Sequence, residues 1–283
     1  MKHKFQYFSI GLISSWLGIF GLASFLIMVV MSFLEHDPDH IALWHFTLEN
    51  YKDLFNPIFL QIFLKSFYIS FLVTATCLIL GYPFAYIMSR LPEKLQSFNL
   101  LLLLLPFWTS SVVRSYAMMS LLKAKGLINM ILLSMGIIHT PLQILFTNVA
   151  VAIGLIYNLL PFMILPIYAN LERFDISLIE AAKDLGAKYH TIFCKVIIPL
   201  SMPGILGGCT LVFLPAMTLF YISDLLGGAK ALLLGNLIED QFLMANNWPR
   251  GAATSVLLTL IMGIGLLIYW FKSNKGTRYE SVL

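Results

Sequence analysis

The sequence predicts an all-α integral membrane protein, folded as a bundle of six transmembrane helices. Of its 283 residues, 59% are hydrophobic and only 11% are charged, and the mean hydropathy is +0.85. Soluble domains carry about 25% charged residues. About 20 apolar residues cross the hydrocarbon core of a bilayer as a helix. Six runs reach that length, at roughly 9–34, 62–90, 98–122, 144–170, 196–222 and 251–272.

The first run follows Lys2 and Lys4 and continues to about Leu34, which is too long for the apolar region of a cleaved signal peptide. We expect it to be retained as the first span. Prolines inside the later runs are expected to kink their helices, which a helical bundle tolerates; they are Pro83, Pro106, Pro161, Pro166 and Pro215. Small residues are expected to mark close helix contacts; in the fifth run they are Gly204, Gly207 and Gly208.

Lysine and arginine residues predict the orientation of the bundle. Four segments that six spans place on one side carry them: the N-terminus, the loop 90–97, the segment 171–195 and the C-terminus. The loop 35–61 is instead rich in aspartate and glutamate. This pattern predicts that both termini are cytoplasmic. Lys123 and Lys125 are placed outside by this scheme, but two charges do not outweigh four consistent segments.

The most informative segment is the polar, amphipathic stretch 177–199, which reads SLIEAAKDLGAKYHTIFCKVIIP between two apolar runs. Ser177 and Glu180 have the spacing of a capping box, which satisfies free N–H groups at a helix start. Gly186 interrupts the helix where a turn would fit. A stripe of apolar residues at helical spacing is expected to seat the segment; it comprises Leu178, Ala182, Leu185, Tyr189 and Ile192. A short helix–turn–helix on the cytoplasmic side predicts a docking element for a soluble partner.

This stretch resembles the cytoplasmic EAA loop of ABC importer permeases. The family pattern is E-A-A, three residues, G, nine residues, then I-x-L-P. Here it appears as Glu180, Ala181, Ala182 and Gly186, followed by Val196, Ile198 and Pro199. The resemblance implies the type I ABC importer permease fold, with a single permease domain over 1–283. It also implies that residues about 171–195, with Leu185 among them, couple the chain to a cytoplasmic ATPase.

Three further strings narrow the resemblance. Residues 105–116 read LPFWTSSVVRSY, residues 220–236 read FYISDLLGGAKALLLGN, and residues 248–255 read WPRGAATS. With the EAA-like loop they are similar to the first permease subunit of polyamine (spermidine/putrescine) ABC importers of the bacterial inner membrane. That family implies a second, similar permease, an ABC ATPase dimer that uses ATP and Mg²⁺, and a periplasmic polyamine-binding protein. A permease for another small solute remains the alternative, because related permeases share parts of these strings.

The sequence shows neither an ATP-binding motif nor the ionisable residues in its spans that ion-driven transport would use. It contains no G-x-x-x-x-G-K-[ST] loop for ATP phosphates, so we expect a transporter subunit and not an enzyme. The spans are almost free of ionisable residues, which disfavours an ion-coupled secondary transporter without excluding it. The net charge of +4 comes from basic residues at span ends, so a nucleic-acid partner is not expected. No resident cofactor or metal is expected.

The candidate substrate path follows from the chemistry of a polyamine, a flexible polycation that carboxylates and aromatic faces would hold. Trp108, Tyr221 and Asp224 supply these groups near the outer ends of the third and fifth spans. Tyr157 and Asn158 are polar residues midway along the fourth apolar run. Each has an ordinary alternative: interface anchoring for the aromatic residues, a solvated loop for the carboxylate, and bonding across helices for the polar pair.

The topology is tested by labelling single-cysteine variants, in a background without the three native cysteines, with a membrane-impermeant thiol reagent on intact cells. Positions 39, 125 and 230 should react, and positions 2, 90, 188 and 275 should not, because the lysine and arginine bias places the latter in the cytoplasm. Labelling at 188 together with protection at 39 would contradict the scheme.

Overall fold

A computed structural model describes residues 2–37, 40–175, 177–228 and 231–277 of the chain, with side chains for 10–37, 40–175, 177–228 and 231–267. Asp39 and Lys230, two positions of the topology prediction, lie outside the described residues. The side chains of Lys2 and Lys275 do as well. Which side of the membrane the termini face stays a prediction.

Helices make up most of the described chain. The N-terminal part holds α1 (Lys2–Leu17), α2 (Ala23–Ser32), the short antiparallel strands β1 (Leu34–Glu35) and β2 (Leu43–Phe46), and α3 (Glu49–Asp53). The central part holds α4 (Pro57–Met88), α5 (Glu93–Leu104), α6 (Ser111–Leu122), α7 (Leu127–Ser134), α8 (Asn148–Glu172), α9 (Ser177–Asp184), α10 (Tyr189–Ile192) and α11 (Ile198–Thr218). The remainder holds α12 (Phe220–Ile222), α13 (Leu234–Leu243) and α14 (Trp248–Thr277).

The expected number of membrane-spanning helices is confirmed for the described residues. Six helical stretches are long and apolar enough to cross a bilayer: Ile10–Ser32, Pro57–Met88, Ser111–Ser134, Asn148–Glu172, Tyr189–Thr218 and Trp248–Leu267. Pro161 and Pro166 lie inside the continuous helix α8. The fifth stretch begins earlier than expected and ends at Thr218, because the backbone of Leu219 (φ −72°, ψ 80°) leaves the helical region.

The predicted third span, 98–122, is wrong as a single helix. α5 ends at Leu104, a 3₁₀ turn follows over Leu105–Trp108, and Thr109 is extended before α6 begins. Pro106 explains the break, because its ring removes a backbone donor and clashes with the carbonyl of the preceding helical turn. The stretch that meets the length of a span is consequently Ser111–Ser134, in which α6 and α7 are separated by a short turn.

Contacts divide the chain into two units, residues 62–236 and residues 1–61 with 237–283. In the first unit, α8 packs along α11 through glycines. A Cβ on Gly204 would lie 2.8 Å from the carbonyl oxygen of Pro166, and one on Gly208 would lie 2.8 Å from the sulfur of Met163. Both glycines therefore mark close contacts, as predicted. Gly207 does not, since its added Cβ would meet only the Pro166 Cβ at 3.7 Å.

In the second unit, α2 packs along α14, and polar side chains fix the short segment that follows α2. Asn50 is buried and donates to the carbonyl oxygens of Ser32 (3.1 Å) and Leu34 (2.8 Å). Asp53 and Arg250 form an ion pair at 3.7 Å. The acidic loop predicted for this region is thus partly ordered by its own hydrogen bonds.

The difference between neighbouring glycines of α11 is testable. Gly204→Ala should lower the stability of the assembled complex by about 1–3 kcal/mol, the usual range for overpacking, because the new methyl group would meet backbone. Gly207→Ala is the matched control on the same helix and should change stability little. Thermal unfolding of the purified complex measures both, and equal melting temperatures for the two variants would contradict the packing.

Candidate functional site

The polar segment begins with a cap that differs from the predicted one. Ser177 does not pair with Glu180 in a capping box, because Ser177 already lies in the helical turn of α9. Instead, Asp175 Oδ1 accepts the N–H of Ser177 at 2.9 Å. Hydrogen bonds from Ser177 hold the pKa of the Asp175 carboxyl below its usual value. At any pH above the usual aspartate pKa the Asp175 carboxylate is ionised and the cap is intact. The cap is lost only as the pH falls through the lowered pKa of Asp175.

The end of α9 confirms the predicted turn at Gly186. This residue has φ +75°, a left-handed conformation that glycine adopts without steric cost. The N–H of Gly186 donates to Lys183 O (2.8 Å) and the N–H of Ala187 donates to Ala182 O (3.1 Å). These two bonds are the Schellman motif, which satisfies the last carbonyls of a helix.

The predicted apolar stripe is divided by this turn. Ile192 is buried and Ala182 is partly buried, so these two positions seat the segment as expected. Leu178, Leu185 and Tyr189 are instead 48%, 88% and 77% exposed, so they are available to a partner. The stripe assumed one continuous helix, whereas Gly186 changes the direction of the chain after α9. Ile179, which the pattern missed, is buried in place of Leu178.

The exposed residues of the segment form what we call the coupling patch, which comprises Leu178, Glu180, Ala181, Leu185 and Tyr189. The Lys183 ammonium lies 5.8 Å from the centroid of the Tyr189 ring, which holds that ring beside α9. An apolar surface flanked by charged residues on a short helix suits contact with a soluble protein.

A continuous set of contacts runs from the coupling patch to α4 and α11. After α10 the chain continues through a π-helical turn, Phe193–Ile197, directly into α11. The Phe193 ring meets Tyr82 and Tyr86 of α4 edge-on, at centroid distances of 5.8 and 6.2 Å. The hydroxyl groups of Tyr82 and Ser201 lie 3.1 Å apart and share a hydrogen bond. A displacement of the patch would therefore reach both α4 and α11.

A cavity of about 450 Å³ lies among α6, α8 and the end of α11. Its lining combines aromatic rings, hydroxyl groups, one amide and one arginine: Phe107, Thr109, Ser110, Ser111, Arg114, Asn158, Leu159, Phe162, Pro215, Leu219 and Tyr221. The break after Leu104 supplies one wall, because the 3₁₀ turn and the extended Thr109 bring Phe107 to Ser110 onto the cavity.

Two polar atoms beside this cavity lack hydrogen-bond partners among the described residues. Asn158 is 3% exposed and donates through Nδ2 to Gly154 O at 2.9 Å, while its Oδ1 is unpaired. The Arg114 guanidinium carbon lies 5.6 Å from the centroid of the Phe107 ring, and its Nε is unpaired. Sequence reasoning placed Arg114 at a span end without selecting it, although a lone charge in an apolar run was the available signal.

The structure brings only some of the predicted path residues together. Asn158 and Tyr221 line the cavity. Trp108 is 83% exposed beside the cavity wall, and Tyr157 is 43% exposed on the neighbouring position of α8. Asp224 is exposed and its Oδ1 accepts a hydrogen bond from Asn236. The lining rings Phe107 and Phe162, packed edge-on with centroids 5.1 Å apart, were missed because apolar aromatics are common in spans.

Six helices of the described chain that are long and apolar enough to span a membrane, a polar segment with an exposed surface, and a cavity among α6, α8 and α11 are the features of a membrane permease subunit. The family described as "Binding-protein-dependent transport system inner membrane component" matches residues 5–274. The chain belongs to this family, and it is a multi-pass inner-membrane protein. This membership sets aside the ion-coupled secondary transporter that the sequence had left open.

Similar proteins cover almost the whole chain. The "Spermidine/putrescine transport system permease protein PotB" of Salmonella typhimurium (strain SL1344) is 49% identical over 271 residues, which are 96% of this chain and 94% of that protein. The protein of the same name from Haemophilus influenzae is 47% identical over 275 residues, 97% of this chain and 96% of that protein.

A solved structure has the same fold. A bacterial ABC transporter involved in the import of the acidic polysaccharide alginate superposes with a TM-score of 0.77, covering 97% of this chain and 96% of that chain, at 15% identity. This similarity confirms the predicted all-α ABC importer permease fold.

Proposed function

We propose that this chain is a permease subunit of an ATP-driven polyamine importer and forms half of its translocation pathway. The observation that carries the proposal is the 49% identity to a spermidine/putrescine permease over 96% of the chain. The EAA-like loop and the strings at 105–116, 220–236 and 248–255 support the same function. Spermidine and putrescine are the expected substrates.

The expected partners follow from this function. A periplasmic polyamine-binding protein would deliver the substrate at the outer face, and a second, homologous permease would complete the pathway. A cytoplasmic ATPase dimer, which uses ATP and Mg²⁺, would bind the coupling patch. Both termini of this chain would then face the cytoplasm, on the same side as α9.

The mechanism uses the contacts that join the coupling patch to α4 and α11. Closure of the ATPase dimer would displace α9, and the Phe193 ring would pass that displacement to α4 while the continuous chain passes it to α11. Because α11 is packed against α8 through Gly204 and Gly208, the helices lining the cavity would move together. Rigid movement of packed helices is a general route from inward-facing to outward-facing states.

The substrate assignment is tested by transport in proteoliposomes that contain the whole importer with its binding protein. ATP-dependent uptake of radiolabelled spermidine and putrescine is expected, with no uptake of an uncharged solute of similar length. Uptake of the uncharged solute alone would support the alternative, a permease for another small solute.

The coupling role predicts the effect of substitution at Gly186. Gly186→Ala forces a side chain into the left-handed region, which costs about 1–2 kcal/mol, although no neighbouring atom lies within 4 Å of the new Cβ. Less ATPase should co-purify with the variant, and transport should fall. Binding of the ATPase and transport at the levels of the unmodified protein would show that this turn does not matter for coupling.

A matched control exists in the chain. Gly136 ends α7 with φ +69° and the same pair of hydrogen bonds, from Gly136 N–H to Leu133 O and from Ile137 N–H to Leu132 O. Gly136→Ala imposes the same backbone strain outside the coupling patch. ATPase recovery should therefore be normal for this variant.

The expected substrate path predicts that Asp224→Asn weakens spermidine transport more than it weakens assembly. A unit charge at 4 Å is worth roughly 1 to 4 kcal/mol. Asp224 is exposed, so the lower end applies, and a reduction of about fivefold in transport at limiting spermidine is expected. The amide retains an oxygen to accept from Asn236. Asp240→Asn, an exposed aspartate of α13, is the control.

The aromatic contribution is tested separately with Trp108→Leu, which removes a ring that attracts an ammonium group. Spermidine transport should fall, and Trp108→Phe should retain more of it. Trp44→Leu is the control, because Trp44 is an equally exposed tryptophan, 85% against 83%. Equal transport by the Trp108→Leu and Trp44→Leu variants would remove Trp108 from the path.

A further inference from the structure

The cavity among α6, α8 and the end of α11 has two polar groups beside it that would act on a cation in opposite ways, the amide oxygen of Asn158 and the guanidinium group of Arg114. The amide oxygen of Asn158 is an acceptor without a partner, and an unpaired polar atom inside an apolar region is costly. Arg114 is the single charged residue of the lining, and it carries a permanent positive charge. One group attracts an ammonium ion and the other repels it.

The orientation of the Asn158 amide is determined by its own helix. Nδ2 donates to the carbonyl oxygen of Gly154 at 2.9 Å, and turning the amide over would place two oxygen atoms against each other. The acceptor is therefore the atom that remains for a ligand. Oδ1 is buried in this conformation, so a ligand reaches it when the lining side chains part.

Arg114 already occupies the position that suits an organic cation. Its guanidinium group lies over the Phe107 ring at 5.6 Å, within the range of a cation–π interaction. The Phe107 ring is in turn packed against Phe162 of α8. The side chain thus acts as a tethered cation on the aromatic wall that an ammonium group of the substrate would contact.

We propose that this cavity is a transit site for the ammonium groups of the substrate, in which Asn158 Oδ1 accepts an ammonium hydrogen bond and Arg114 is an opposing charge that keeps binding weak. The proposal rests on the proposed polyamine function and assigns two residues within it. A transport pathway must release its cargo, and a fixed positive charge prevents a polycation from being trapped. Because repulsion grows with the charge of the ligand, spermidine is affected more than putrescine.

The test uses the complete importer in nanodiscs without the binding protein, with equilibrium dialysis of radiolabelled spermidine and putrescine. Asn158→Leu keeps the shape and removes the acceptor, so spermidine retention should fall about tenfold, as expected for a hydrogen bond to a charged group. Ser70→Ala is the control, because the Ser70 hydroxyl is also buried and unpaired but lies outside the cavity lining. It should retain spermidine like the unmodified importer.

Arg114→Gln should have the opposite effect, with retention of spermidine tightened about threefold or more and putrescine changed less. In transport with the binding protein present, its KM and maximal rate should both fall because release is slowed. Arg114→Lys keeps the charge and should behave like the unmodified importer. Arg90→Gln is the matched control, since Arg90 lies 5.4 Å from the Tyr86 ring outside the cavity lining.

The outcomes separate the two levels of inference. If the unmodified importer transports neither polyamine, the proposed function fails. If it transports spermidine while Asn158→Leu retains spermidine normally, the assignment of Asn158 is overturned and the function stands. If Arg114→Gln weakens retention, the arginine holds the ligand or an anionic group, and its role as an opposing charge is overturned.

Discussion

The close packing of α8 on α11 is the contact on which both candidate features depend. Glycines at positions 204 and 208 let the α11 backbone lie against Pro166 and Met163, where any side chain would separate the helices. α8 carries Asn158 at the cavity. α11 follows α10 and the π-helical turn in the chain without interruption. Because the two helices touch along glycines, a movement of α11 is expected to move α8 as well. The α8–α11 contact therefore connects the segment that carries the coupling patch with the cavity.

Several hydroxyl groups in the spans share one hydrogen-bonding pattern. In a bilayer a hydroxyl group has no water to bind, so it is usually satisfied within its own helix. Thr74, Thr76 and Thr210 each donate to the carbonyl oxygen four residues earlier, at 2.7–2.8 Å. Asn158 donates in the same way through Nδ2, to the carbonyl oxygen of Gly154, but its amide also has an acceptor, Oδ1, which has no partner in the described part of the chain. This chemical difference separates Asn158 from these three threonines.

The sequence predicted the fold well because bilayer thickness determines helix length. The number of spans and the turn at Gly186 are local or compositional properties, and they were confirmed. The third span was misplaced because hydropathy does not register the backbone break at Pro106. The capping box was wrong because Asp175, just upstream, accepts the N–H of Ser177 that Glu180 would accept in a capping box.

The site was less predictable than the fold. Asn158 and Tyr221 were selected for their chemistry and do line the cavity, whereas Arg114 meets Phe107 only through the turn that follows the break. The contacts between α6 and α8 depend on how each helix is rotated and on their register. No local pattern in a single sequence reveals that rotation or register. The sequence predicts which residues are chemically available, and tertiary packing selects among them.

The break between α5 and α6 has a consequence for how the cavity is maintained. Segments without helical hydrogen bonds are tolerated at membrane depth only where protein or a water-filled space surrounds them. The turn at Leu105–Trp108 and the extended Thr109 border such a space. The break brings the hydroxyl groups of Thr109 and Ser110 to the cavity, and the cavity in turn gives the non-helical peptide groups a polar surrounding. The cavity is therefore part of what lets the chain turn between α5 and α6.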